Sequence, residues 1–80
     1  MARLNALLLQ DSKTSIAISQ IARVAAYDNG VGIFNMREKM IGWIPCQDDT
    51  TAALVVTMIN EIINNPGRAK QPDWSILNAK

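Results

Sequence analysis

Tyr27-Asp28-Asn29-Gly30-Val31-Gly32-Ile33-Phe34-Asn35-Met36-Arg37-Glu38-Lys39-Met40-Ile41-Gly42-Trp43-Ile44-Pro45 is the stretch that decides the fold. Asn29-Gly30 between two apolar runs is a strong hairpin signal, because a type I′ turn needs positive φ at both central residues. Val31 to Asn35 then alternates as a strand does, with Val31 and Ile33 on one face and Phe34 on the other. Met36-Arg37-Glu38 is a polar connection. Asn35 with Glu38 also fits a capping box for a short helix over 36–43. Gly42 within that segment and Pro45 just after it favour a strand over Lys39 to Ile44, and a residue before proline is biased to extended backbone.

Upstream, residues 15–26 fit either element. Ile16, Ile18, Val24 and Ala26 share a strand face; Ile18, Ile21, Ala22 and Ala25 share a helix face. The hairpin signal that follows decides for a strand. Further upstream, Leu4, Leu7 and Leu8 stand at i, i+3, i+4 and predict a short helix over residues 2–10. Asp11 to Thr14 reads as a turn or cap cluster.

Downstream, Asp48 or Asp49 caps the clearest helix, expected over 49–65. Ala52, Val55, Val56, Ile59, Ile62 and Ile63 form its apolar stripe. Its β-branched residues are weak helix formers, so packing must hold it. Asn65-Pro66-Gly67 ends it. The tail, 66–80, is polar except for Trp74, Ile76 and Leu77, and is expected to add an edge strand or to dock by its tryptophan. The fold class is α+β: a small antiparallel sheet of three strands in a meander, an N-terminal helix and one long helix.

Eighty residues make one domain, 1–80, with its core over about 12–65. A core of that size supplies roughly 3–5 kcal/mol. Apolar residues make up 49% of the chain, a high share for so small a body, which points to a homodimer or a larger protein partner. The chain has one cysteine, Cys46, and no histidine, so a disulfide within it, a zinc set and a His-based triad are excluded. No metal, cofactor or nucleophile–base pair can be assembled, and an enzyme is not expected. Residues 1–10 resemble neither a signal peptide nor a membrane span, and the cytoplasm is the expected compartment. Net charge is +1, so no basic bulk field points to nucleic acid.

From Tyr27 onward the chain resembles the HIRAN family, small domains found alone and fused to Swi/Snf-type helicases and other nucleic-acid enzymes. That family's core reads Tyr-Asp-(x)-Asn-Ala-Ile-x-Val, a polar turn, Ile/Val-Gly-aromatic/His-Ile-Pro, then a helix rich in Ala and Leu. Tyr27, Asp28, Asn29, the Gly30 to Ile33 run, Ile41-Gly42-Trp43-Ile44-Pro45 and Ala52-Ala53-Leu54 carry the likeness, over about residues 15–63. The family's Arg-Glu-Pro-x-Asn-Pro run and its first strands have no counterpart here. The resemblance therefore implies an OB-like partial barrel, open to dimerisation or an added partner strand.

The resemblance also implies a non-catalytic module for single-stranded DNA, chiefly a free 3′ end. Tyr27 would stack on a base, Asp28 would accept a hydrogen bond from the terminal hydroxyl, and Asn29 belongs with them to the motif's first block. Arg23, Arg37 and Lys39 would meet phosphates. The rival reading is a protein-interaction or homo-oligomeric domain that has lost the DNA site. Simpler roles stand beside each residue: Asp28 as cap of its own turn, Arg37 and Lys39 as solvated loop charges, Trp43 as core, Cys46 as an ordinary thiol and Asp48-Asp49 as a helix cap.

Overall fold

The computed structural model describes residues 4–78. In chain order these form β1 (Ala6–Leu8), β2 (Ser15–Ala17), a 3-10 turn (Ile18–Gln20), β3 (Arg23–Tyr27), β4 (Gly30–Phe34), β5 (Met40–Pro45), α1 (Asp49–Asn64) and a second 3-10 turn (Trp74–Asn78). The fold is α+β, with β1-β2 as one antiparallel sheet and β3-β4-β5 as another. Among the described residues no helix is long and apolar enough to cross a membrane.

The meander has the expected order, but its first turn has different chemistry. Tyr27 pairs with Gly30, so Asp28 and Asn29 are the two central residues. Neither they nor any described glycine has positive φ, so the turn is not type I′. The second turn has the left-handed residue instead. Asn35 Oδ1 accepts hydrogen bonds from the backbone N–H groups of Arg37 and Lys39 at 2.9 and 3.1 Å, and Glu38 takes φ 62°. The register then slips between Ile33, opposite Gly42, and Phe34, opposite Met40, leaving Ile41 in a bulge.

The helix expected over 2–10 is not formed in residues 4–10; residues 2 and 3 lie outside the described part. Leu7 and Leu9 are buried while Leu8 between them is exposed, the two-residue period of a strand. The i, i+3, i+4 leucines were compatible with a helix, but the β2 partner and the tail provide strand contacts. Leu7 stands opposite Ile16 in the β1-β2 register. Asp11 closes the hairpin by accepting from the backbone N–H groups of Lys13 and Thr14 and from the Thr14 hydroxyl. Residues 15–26 hold strands at both ends, but the 3-10 turn divides them into β2 and β3, so one expected strand serves two sheets.

Among its described residues the tail adds no strand. Its Gln71 amide accepts from Leu8 N–H and donates to the Ala6 carbonyl, both at 2.9 Å, and Trp74 Nε1 donates to the Leu8 carbonyl at 2.8 Å. One side-chain amide thus takes the place of a strand neighbour along the outer edge of β1.

The core lies between the inner face of β3-β4-β5, the β1-β2 hairpin and α1. Val31, Ile33 and Ile44 meet Leu7, Leu9 and Ile16 and the α1 residues Ala52, Val55, Ile59 and Ile62. Gly42 lets the two sheets approach: a Cβ there would sit 2.7 Å from Ile16 Cδ1. The α1 stripe matches the expected one, with Val56 and Ile63 at its margin.

Asp48 is the N-cap of α1, its Oδ1 accepting from Thr51 N–H at 2.7 Å. Those bonds hold its carboxyl below the usual carboxylate range. A pKa lowered on folding gives stability that is present above the unfolded value, about 3.9, and is lost as pH falls through the folded one. Thermal melts should therefore lose stability below about pH 4. Asp48→Asn should keep the cap and lessen that acid loss, while Asp48→Ala should lower the melting temperature at neutral pH as well.

Candidate functional site

The strand registers sort the larger sheet into two faces. Rows Val24-Ile33-Gly42 and Ala26-Val31-Ile44 turn inward. Rows Arg23-Phe34-Met40, Ala25-Gly32-Trp43 and Tyr27-Gly30-Pro45 turn outward. Among the described residues, Tyr27, Met40 and Trp43 of the outward rows stay partly exposed, and these rows hold three of the chain's four aromatic rings, Tyr27, Phe34 and Trp43, the fourth being Trp74.

Two glycines of β4 form the floor of this face. A Cβ on Gly30 would lie 2.4 Å from Trp43 Cζ2, and one on Gly32 would lie 3.0 Å from both Met40 Cε and Phe34 Cε1. The rings and the methionine therefore lie down over bare backbone. The Tyr27 ring centroid is 6.1 Å from that of Trp43 and 6.4 Å from that of Phe34, within the range of interacting aromatic pairs. The Arg23 guanidinium carbon sits 4.2 Å from the Phe34 centroid, and its Nη2 donates to Glu38 Oε2 at 2.9 Å. Phe34 is buried beneath them, while Tyr27 is 45% and Trp43 37% exposed.

The six expected binding residues fall into two groups. Tyr27, Asp28 and Asn29 stand at one end of the sheet. Arg23, Arg37 and Lys39 stand at the other, where the β4-β5 turn begins beyond Phe34. Arg23 and Tyr27 are four residues apart on β3, about 13 Å at the usual strand rise. The aromatic face is what joins the groups.

Local roles differ within these groups. Asp11, Asn35, Asp48 and Asp73 each cap a nearby backbone N–H. The Asp28 side chain forms no hydrogen bond with a described residue, so the turn does not depend on it as a cap. The Asn29 carbonyl accepts from Cys46 N–H at 3.0 Å, tying the turn to the start of the loop before α1. Arg23 is partly neutralised by Glu38, an exposed pair of small energetic weight.

Trp43, Phe34 and Met40 were absent from the expected site. The signal for them was the Gly30-Gly32-Phe34 spacing, which puts two bare positions and a ring on one face of the strand. An aromatic residue on a neighbouring strand can cover such positions. Cys46 is buried, and burial, and secondarily the Asp48 carboxylate, push its thiol pKa up and disfavour the thiolate. No cluster of three or more His, Cys, Asp or Glu able to hold a metal occurs among the described residues. Compared with protein-family models, curated proteins and solved structures, the chain gives no significant match.

Proposed function

We propose that the outer face of β3-β4-β5 is a non-catalytic platform for single-stranded nucleic acid, with single-stranded DNA and its 3′ end as the favoured ligand, in a cytoplasmic protein. The observation that carries this reading is the half-exposed pair Tyr27 and Trp43, 6.1 Å apart over glycine backbone. Such rings offer flat apolar area to bases of any sequence, and base–aromatic stacking is worth about 1–3 kcal/mol per base. Arg23, Arg37 and Lys39 at the far end supply phosphate contacts. Asp28, beside Tyr27 and free of a local capping bond, supplies an acceptor for a terminal hydroxyl. The HIRAN resemblance supports the same assignment for Tyr27 and Asp28, and its partial barrel remains part of this proposal.

A second reading has its own support. Met36 is 84% and Met40 45% exposed at the same end as Arg23, and net charge is only +1. A flexible methionine border suits an apolar protein surface. In that case the face binds a protein and not a nucleic acid.

Fluorescence polarisation of a labelled single-stranded oligonucleotide across a salt series separates the two. Three phosphate contacts on a single strand predict a log–log salt slope of roughly −2. Tyr27→Ala should weaken binding by about 1–3 kcal/mol. Blocking the 3′ end should weaken it too, and Asp28→Ala should remove that difference between free and blocked ends. Absence of binding at low salt would leave the protein-partner reading in its place.

A further inference from the structure

The exposed edges of the two sheets are not treated alike. The outer edge of β1 is covered by Gln71 and Trp74 of the tail. On β5 the Trp43 carbonyl receives Gln10 Nε2 at 3.4 Å. The strand β2 is only three residues long. On β3, five residues long, no hydrogen bond from another described element reaches the side away from β4. Its sequence, Arg23-Val24-Ala25-Ala26-Tyr27, contains no proline or lysine and pairs with β4 without a bulge, and its one charge, Arg23, stands at the strand's end in an ion pair with Glu38, so the middle of the edge lacks the usual devices against pairing.

We infer that β3 pairs antiparallel with β3 of a second copy of this chain, with Ala25 on the two-fold axis. The strand is complementary to itself in that register. Ala25 faces the partner's Ala25, Val24 faces the partner's Ala26, and Arg23 faces the partner's Tyr27. Facing residues on one side of an antiparallel pair have Cβ atoms about 4.5–5.5 Å apart, which brings a guanidinium to a phenol ring at each end of the seam. The two arginines are kept at opposite ends, so no like charges meet. A symmetric interface of this kind closes on itself and leaves no edge for further growth.

The pairing stands without any ligand, but its consequence rests on the proposed function. Both outer faces turn to the same side of one six-stranded sheet. Each Arg23 then lies beside a ring of the partner, and the small Ala25 pair leaves a shallow floor between the two Tyr27-Trp43 clusters. The binding site is completed across the axis and takes a longer single strand than one chain can. Five paired residues bury far less than the roughly 1,600 Å² of a standard interface, so the dimer is reversible and concentration-dependent.

Light scattering of the full chain over a concentration series should show a rise toward twice the chain mass. Ala25→Lys places two like charges on the axis and should hold the folded chain as a monomer. Ala25→Cys should form an intermolecular disulfide on mild oxidation, because facing Cα atoms lie within bridging distance, while Ala53→Cys on the exposed face of α1 should not. A chain that stays monomeric throughout overturns the inference, as does an Ala25→Lys dimer or equal cross-linking at both cysteine positions. A monomer that still binds the oligonucleotide overturns the pairing alone. A dimer that does not bind it overturns the platform alone.

Discussion

Ile33→Ala should leave little or no folded protein under conditions where the unaltered chain is folded. Ile33 is fully buried in the middle strand of the larger sheet, between Val24 and Gly42 in the register. It belongs to the buried cluster that joins the sheets to α1. Removing a buried isoleucine down to alanine costs about 2–5 kcal/mol, the lost transfer energy plus the cavity left behind. A core of this size supplies only about 3–5 kcal/mol in all. Chemical denaturation followed by circular dichroism measures the outcome. A loss below about 1 kcal/mol would mean that the sheet–helix core is not packed as described.

Gly30→Ala should produce the second large effect, and it should couple stability to the candidate site. The added Cβ would meet Trp43 Cζ2 at 2.4 Å and the Ile44 carbonyl oxygen at 2.7 Å. The ring could swing away, but the carbonyl belongs to the β4-β5 ladder and cannot. Overpacking of this kind costs about 1–3 kcal/mol. The expected result is a lower denaturation midpoint together with a changed Trp43 emission. Gly32→Ala should be milder, because its nearest contacts at 3.0 Å are the ends of the Met40 and Phe34 side chains. Equal effects at the two glycines would contradict the close approach at Gly30.

Gly30 also shows what could be read from the sequence and what could not. Its position between Asn29 and Val31 correctly marked a hairpin, but for a reason the folded chain does not use. Its φ is not positive; it is needed because Trp43 and the Ile44 carbonyl lie against it. That need arises only once β5 is paired with β4, so local sequence could not reveal it. The helix over 49–64 was legible because its stripe runs for four turns with an Asp cap in front. The N-terminal leucines were not, since the spacing of Leu4, Leu7 and Leu8 matches a helix, and the deciding contacts come from Ile16 and from Gln71, sixty-three residues beyond Leu8.

For the site, Tyr27, Asp28 and Asn29 were legible as a group because they are adjacent in the chain. Arg23, Arg37 and Lys39 were legible as basic residues, but their gathering at the far end depends on the β3-β4 and β4-β5 registers. Trp43 was the main omission. Ile44 faces the core, so a two-residue alternation turns Trp43 outward, yet the bulge at Ile41 breaks the pattern that would have made this plain.

The most direct test of the platform uses Trp43 itself as the reporter. The chain has two tryptophans, so Trp74→Phe leaves Trp43 as the sole indole, and Trp43→Phe leaves Trp74. Titration with a single-stranded oligonucleotide should quench the emission of the Trp74→Phe protein in a saturable way as bases stack against the indole. The Trp43→Phe protein should bind less tightly and show little change from Trp74, which is docked on β1. Binding that leaves Trp43 emission unchanged, or no binding at low salt, would contradict the assignment of the outer face.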